Sequence, residues 1–304
     1  MIDTIRVKFP IDPTEEQLKG WIRKTTSSQT GQSDVYIYNP VINDAMVKFT
    51  FRPFDYQGKP ILTVEMSLPK LSFGNNYQMI TSIDEAVKSG NARLDGIPHI
   101  PKLDLAEGIL IRLDMCFNHQ VGEAVEDYIR AIGNLEYPHR RTKYHRNEGA
   151  EFRAKHKTTK FYNKERESGY AEAYGILRQE VTLINGKDIQ KMFGEKQPTL
   201  MSVSKEKIVE SLNDDLEKVG LLGNSIATRN TALKMLCETY GENAGIYYFG
   251  LLMSKLDKSK KQIGKDAGTH PRSLDRKLKK IIDAGMPLTL TDREEPLPPL
   301  VINL

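Results

Sequence analysis

Two cysteines, Cys116 and Cys237, are too few in a chain of 304 residues for a disulfide framework, and alone they make no zinc site. The six histidines (99, 119, 139, 145, 156 and 270) never form a His-x-His pair, so the sequence offers no histidine-based metal motif. No apolar run approaches the roughly 18–20 residues that span a bilayer, the longest being short pieces such as 108–113. The N-terminus lacks a basic stretch followed by an apolar core, which predicts no secretory signal and no membrane partner. There is no internal repeat. What remains, 39% hydrophobic and 28% charged residues, is the composition of a globular chain rather than a disordered one. Its length suits one large domain or two ordinary ones.

Net charge is +4, a modest excess, so the distribution matters more than the total. Arg140, Arg141, Lys143, Arg146, Arg153, Lys155, Lys157, Lys160 and Lys164 crowd into one stretch with His139, His145 and His156. A second basic run passes through Lys255, Lys258, Lys260, Lys261 and Lys265 to Arg272, Arg276, Lys277, Lys279 and Lys280. Two such blocks suit a protein that holds a polyanion in two places, since each phosphate contact releases condensed counterions. The alternative is two solvated faces that carry lysine.

The first two-thirds of the chain predict strands at 4–9, 33–38, 46–51 and 61–68, short β-branched or aromatic segments separated by Pro, Gly and Asn. In the last of them Leu62, Val64, Met66 and Leu68 alternate with Thr63, Glu65 and Ser67. A helix is expected over 81–89, and a strand over 108–118 with Ile109, Ile111, Leu113, Met115 and Phe117 on one face and Arg112 and Asp114 on the other. An amphipathic helix over 121–133 and strands over 158–164 and 176–183 follow. From about Lys187 the periodicity turns helical: 188–193, 205–219, 225–240, 244–256, 259–267 and 272–284, with caps at Ser204 and Ser259 and an extended proline-rich tail. The expected fold class is α+β: an antiparallel sheet domain over 1–186 with helices on one face, then an all-α domain over 187–304.

Three strand-like segments carry an acidic residue: Asp114, Glu167 and Glu180. Alternation puts Arg112 beside Asp114 and Arg178 beside Glu180, so one reading is a pair of Arg–carboxylate contacts on a solvated face. The functional reading is that the three converge and hold Mg²⁺ or Mn²⁺, which need few protein ligands and keep positions for water and phosphate. Glu65 would be a fourth member. Glu167 has the parity of Phe161, opposite Tyr162 and Lys164, unless the strand ends or bulges first. A tyrosine hydroxyl can attack a phosphodiester and store the bond as an ester. Among 13 tyrosines Tyr144 has the most basic surroundings, Arg141, Lys143 and Arg146, with Tyr137 and Tyr162 as rivals.

These features resemble the replication initiators of filamentous phages, the gene II/gene X type, and related rolling-circle plasmid initiators. The matching pieces are Ser67 to Asn76, Arg112-Leu113-Asp114, Tyr162-x-Lys164-x-x-Glu167 and Leu177-Arg178-x-Glu180-Val181, which together cover about residues 60–185. The resemblance implies a strand-specific endonuclease of the bacterial cytoplasm that forms a 5′-phosphotyrosine link, leaves a 3′-hydroxyl and later rejoins the strand. It implies Tyr144 and Lys164 as catalytic residues, a metal at Asp114, Glu167 and Glu180, and origin DNA, double- and single-stranded, as partner, with host helicase and polymerase.

Arg112, Arg140, Arg141, Lys143 and Arg178 are the expected DNA contacts of this first part. In the second, residues 258–282 have a helix-turn-helix layout: Ile263 and Ala267 inward, Gly268 at the turn, and Leu274, Leu278 and Ile281 anchoring the second helix. That leaves Arg272, Ser273, Arg276, Lys277 and Lys280 for phosphates and base edges. The competing function is a non-catalytic DNA-binding replication or partition protein in which the carboxylates are structural.

Overall fold

The computed structural model describes residues 1–28, 31–55, 57–258, 260–266 and 268–302. The expected cap Ser259 and inward-facing Ala267 lie outside them. The fold is mixed, with a large sheet and ten α-helices among the described residues. Ten strands form that sheet in the order β2-β3-β6-β7-β1-β8-β12-β11-β10-β9, and β4 and β5 form a hairpin of their own. Contacts divide the chain into two units, Met1–Phe117 with Glu180–Val209 and Asn118–Gln179 with Glu210–Leu304. No helix among the described residues is long and apolar enough to cross a membrane.

The first unit contains β1 (Ile2–Phe9), β2 (Ile22–Ser28), β3 (Gly31–Tyr38), β4 (Val41–Ile42), β5 (Ala45–Met46), β6 (Lys48–Arg52), β7 (Ile61–Ser67), α1 (Leu68–Phe73), α2 (Ile83–Leu94) and most of β8 (Ile109–Gln120). β7 alternates as its sequence requires: Leu62, Val64 and Met66 are buried, and Thr63, Glu65 and Ser67 are half-buried. It pairs antiparallel with β1, so Val7 faces Val64 and Phe9 faces Leu62. Buried pairs of this kind each contribute about 1.5–3 kcal/mol per side chain. Ser67 ends the strand and caps α1, its Oγ accepting from Lys70 N. α2 starts on the Ser82 cap and runs to Leu94, five residues beyond the expected end.

β8 departs from strict alternation. Val7 faces Leu110 and Arg6 faces Arg112, so one residue of β8, Ile111, is extra at that point. The bulge flips parity: Leu110 is buried, while Ile109 and Ile111 are only half-buried. A single apolar face through Ile109 and Ile111 is therefore not formed. A second shift lies between Ile2 and Ile5.

The second unit opens with α3 (Val125–Gly133), then a meander of β9 (Arg141–Tyr144), β10 (Gly149–Arg153) and β11 (Lys157–Asn163), followed by α4 (Lys164–Ser168). β12 (Ile176–Leu183) begins in this unit and ends in the first, where α5 (Gly186–Phe193) follows. α6 (Lys205–Lys218), which begins in the first unit, α7 (Arg229–Tyr240), α8 (Glu242–Asp257), α9 (Lys260–Asp266) and α10 (Pro271–Asp283) complete the α-helices among the described residues. α3 packs on one face of the meander through Tyr128, Ile129 and Ile132, opposite Ala150, Phe152 and Phe161. Helices α7 to α10 enclose their own core, in which Ile263, Leu274, Leu278 and Ile281 meet Leu236 and Leu252. Gly268, at φ +57°, makes the turn between α9 and α10. The segment after α10 is extended, as expected, but packed: Leu297 bridges Ile226, and Tyr128 Oη donates to Pro298 O at 2.6 Å.

Candidate functional site

In the first unit the polar faces of β6, β7, β1 and β8 align Lys48, Glu65, Arg6 and Arg112 as successive cross-strand partners. Arg6 pairs with Glu65, and Arg112 Nη1 reaches Glu65 Oε1 at 3.5 Å. The main contact of Arg112 is two-pronged: Nε to Asp114 Oδ1 at 3.0 Å and Nη2 to Oδ2 at 2.7 Å. The in-strand Arg–carboxylate pair read from alternation is thus formed at Asp114.

Three carboxyls on this unit are buried: Asp3, Asp114 and Glu180. Burial pushes Asp114 up to about 6, with the charges of Glu180 and Asp3 raising it further against the pull of Arg112. Ser67 Oγ donates to Asp3 Oδ1 at 3.0 Å, and Thr182 Oγ1 donates to Glu180 Oε1 at 3.4 Å. A carboxyl that titrates near 6 can give or take a proton close to neutral pH. Asp3 and Arg6 are members that sequence reasoning missed. The only signal was the charged pair Asp3 and Arg6 around Thr4 and Ile5, and the shift in β1 that brings Asp3 to this face was not legible.

Glu167 belongs to the second unit. β11 ends at Asn163, whose Oδ1 accepts from Arg166 N at 3.1 Å and caps α4. Lys164 and Glu167 therefore sit three apart on a helix, where their side chains form an ion pair, and the strand parity does not apply. The Lys164 side chain is fully buried, and its Nζ lies 5.6 Å over the Tyr162 ring. Among the described residues no three His, Cys, Asp or Glu side chains are grouped so as to hold a metal ion. The donors present do not fit Mg²⁺ or Mn²⁺ as they stand, because Arg112 already takes both oxygens of Asp114.

Tyr144 closes β9, 40% exposed, with its ring against Gly133 at the end of α3; a Cβ on Gly133 would lie 2.4 Å from Tyr144 Cδ2. It faces Ala150, and Ala150 faces Phe161, so these three share the side that packs on α3. Tyr162 faces Gly149 and shares the other side with Lys143, Glu151 and Lys160. Tyr137 is buried, and its hydroxyl donates to Asp215 Oδ1 at 2.7 Å; burial and that carboxylate drive its ionisation well above the ordinary 10. Of the three tyrosines it is the least suited to attack. Beyond Tyr144, His145, Arg146, Glu148 and Arg166 line a cavity of about 400 Å³, with Arg146 held at φ +46°.

The expected DNA contacts separate by exposure. Arg141 and Lys143 are exposed. Arg140 turns inward, donating to Thr159 Oγ1 at 2.6 Å and Tyr137 Oη at 2.9 Å, its guanidinium 3.6 Å over the Tyr137 ring. Arg178 is fully buried and donates from Nε to Asn118 Oδ1 at 2.8 Å. Neither presents a guanidinium to solvent, which corrects the expectation of a phosphate contact for both. Arg112 is bound up with Asp114 and Glu65. On α10, Arg272, Arg276 and Lys280 are exposed, and Lys277 is half-buried. Comparison of the chain with family models, curated proteins and solved structures yields no match.

Proposed function

We propose that the chain is a DNA-nicking replication initiator of the rolling-circle kind, acting at an origin in the bacterial cytoplasm. The observation that carries this reading is the buried carboxyl group of β1, β8 and β12. Asp3 and Glu180 each lie within electrostatic reach of Asp114, and burial pushes Asp114 up to about 6. A carboxyl tuned to neutral pH suits the movement of a proton during phosphodiester transfer.

In the reaction a tyrosine oxygen attacks the phosphorus. A Tyr Oη–P bond forms, the P–O3′ bond breaks, the phenol proton passes to a base and the leaving 3′-oxygen takes up a proton. Attack is assigned to Tyr144, with Tyr162 as its rival beside Lys164. Mg²⁺ or Mn²⁺ belongs to the proposal as a cofactor of the reaction, with no residues assigned to hold it while Arg112 takes both oxygens of Asp114, and no step is derived through it. Duplex and single-stranded origin DNA would be the partners, with host helicase and polymerase acting at the freed 3′-hydroxyl. The edge ribbon supports a DNA contact: Arg141 and Arg153 face one another directly across β9 and β10. Arg153 is itself paired with Glu151, so a phosphate contact on this ribbon falls to the exposed Arg141 and Lys143.

One observation favours a second reading, a DNA-binding protein without catalysis. Asp114 and Glu167 are each already paired with a cation of their own chain. Incubating the protein with supercoiled origin plasmid, with and without Mg²⁺ or Mn²⁺, separates the two. A relaxed circle with protein joined covalently to a 5′ end is the expected result, and retardation without nicking would leave the second reading. Tyr144→Phe is expected to lose the adduct and keep DNA binding. An adduct that persists in this variant and vanishes in Tyr162→Phe would move the nucleophile to Tyr162.

A further inference from the structure

α10 buries Leu274, Leu278 and Ile281, and Arg272, Arg276, Lys279 and Lys280 are exposed on its basic face, with Asp275 and Asp283 exposed as well. One flank of that basic face meets tyrosines of α7 and α8. Tyr247 lies edge-on to Tyr248 with centroids 5.5 Å apart, and Tyr248 packs on Tyr240 at 5.0 Å. Tyr240 Oη donates to Lys280 O at 2.7 Å, which fixes the cluster to α10. Lys277 Nζ stands 5.1 Å over the Tyr247 ring, and Lys280 Nζ stands 5.9 Å over Tyr240. Tyr247 itself is 49% exposed, beside Ile246 at 53%.

We propose that this face of α8 and α10 is a platform for single-stranded DNA, on which one unpaired base stacks against Tyr247 while Lys277 and Lys280 take the adjoining phosphates. Charge sets the class of ligand. A half-exposed aromatic ring under Lys277, with Lys280 over the neighbouring Tyr240, attracts a polyanion that also has an apolar face. Bases of a duplex hide their faces in the stack, so the phosphates alone would use the lysines and leave Tyr247 idle. An unpaired base uses both, and it needs no hydrogen-bond readout, since every base has a π face. A helix-turn-helix reading of α9 and α10 accounts for Arg272, Arg276, Lys277 and Lys280 but assigns nothing to Tyr247. The platform rests on the chain being a DNA-binding protein and not on its cutting DNA.

The test is fluorescence anisotropy of a labelled oligothymidylate with the full chain, alongside retardation of origin duplex. Tyr247→Phe keeps the ring and is expected to bind the oligonucleotide as the wild type does. Tyr247→Leu keeps an apolar side chain without the π face and is expected to weaken binding roughly 5- to 150-fold, with duplex retardation unchanged. Lys277→Ala is expected to lower the slope of log K against log salt by about 0.7 for the single strand. A Tyr247→Leu variant that binds oligothymidylate like the wild type overturns the platform, as does an equal loss in the Phe and Leu variants. A wild-type chain that binds neither oligonucleotide nor duplex sinks the DNA reading itself, a different result from either. Thermal melting of each variant shows that the fold is retained.

Discussion

Two buried groups titrate in overlapping ranges and with opposite effects on stability. Burial raises Asp114 from 3.8 to about 6, and burial lowers His119 from 6.5 to about 4, against the hydrogen bond that His119 donates to Gln179 Oε1. Between pH 4 and 6 the folded chain keeps the Asp114 proton that the unfolded chain has lost, so this group makes stability fall as pH rises. In the same window the unfolded chain protonates His119 and the folded chain does not, so that group makes stability rise as pH rises. Each slope is about 1.4 kcal/mol per pH unit, or about 3 kcal/mol across the window. If the chain unfolds as one, these two cancel and the wild-type midpoint in urea is nearly flat over the window as far as they are concerned. Asp114→Asn then exposes the rising slope of His119, and His119→Gln, which retains an amide nitrogen near the place of Nε2, exposes the falling slope of Asp114. Trp21, the single tryptophan, lies in the same unit as Asp114, so its fluorescence gives that unit its own reading. Helical circular dichroism at 222 nm is dominated by α6 to α10 and follows the other unit, which holds His119. If the two units unfold separately, the two probes are expected to show slopes of opposite sign. An Asp114→Asn variant with the pH dependence of the wild type would refute the buried, protonated Asp114.

The second unit offers sharper mechanical tests. Asp215 on α6 is fully buried, accepts from Tyr137 Oη at 2.7 Å and Lys157 Nζ at 2.8 Å, also accepts from Thr159 Oγ1, and lies 3.6 Å from Arg140 Nη2. Asp215→Ala leaves two cations poorly compensated and is expected to cost about 3–5 kcal/mol, read as the shift in the urea midpoint; a loss below about 1 kcal/mol contradicts the network. Gly245 and Gly250 lie on the same helix with opposite surroundings. A Cβ on Gly245 would come within 2.5 Å of the Cys237 backbone, whereas one on Gly250 meets nothing. Gly245→Ala is expected to destabilise by about 1–3 kcal/mol and Gly250→Ala to stabilise by about 0.5–1 kcal/mol, by thermal melting. Two changes of the same sign would refute the close approach of α7 and α8.

The elements that were legible in the sequence are those whose own residues settle them. β7 alternates without interruption, and α10 repeats Leu274, Leu278 and Ile281 at helical spacing behind Pro271. β2 and β9 escaped because their pattern is not apolar: β9 is exposed along its whole length, and β2 opens on an Ile22 that is 61% exposed; β10 is buried from Gly149 to Phe152 but is five residues long and interrupted by Glu151. The bulge in β8 is decided by its pairing with β1, which no window of β8 alone contains. The same holds at the site. Asp114 beside Arg112 follows from spacing two apart on a strand, but Asp3 enters through a register shift. The side of Glu167 depends on where β11 stops, which the Asn163 cap determines. Arg140 was misplaced because a basic run reads as surface, and Arg178 because its alternation with Glu180 reads as a polar face, while Asp215 and Asn118, distant in sequence, hold these two inward.

Asp215 and Asp114 are both buried carboxyls, and the difference in their partners separates structure from chemistry. Around Asp215 stand Arg140, Lys157 and the hydroxyls of Tyr137 and Thr159, enough donors to satisfy a full negative charge. Asp114 has one guanidinium, and the charges of Glu180 and Asp3 act against its ionisation. A carboxyl serving the fold alone would gain from a second cation or from replacement by an apolar side chain, an exchange that leaves many proteins as stable or more so. Keeping Asp114 where the charges of Glu180 and Asp3 oppose its ionisation forfeits stability at neutral pH, as chains do where a site must hold an awkward charge. The comparison predicts an asymmetry at pH 7. Asp215→Asn removes a charge that its neighbours need and is expected to destabilise strongly. Asp114→Asn removes a charge that its neighbours oppose, so its cost is expected to be the smaller of the two, limited to the two-pronged contact with Arg112. Equal costs in urea denaturation would mean that Asp114 is as structural as Asp215, and the carboxyl group of the first unit would lose its claim to be a chemical site.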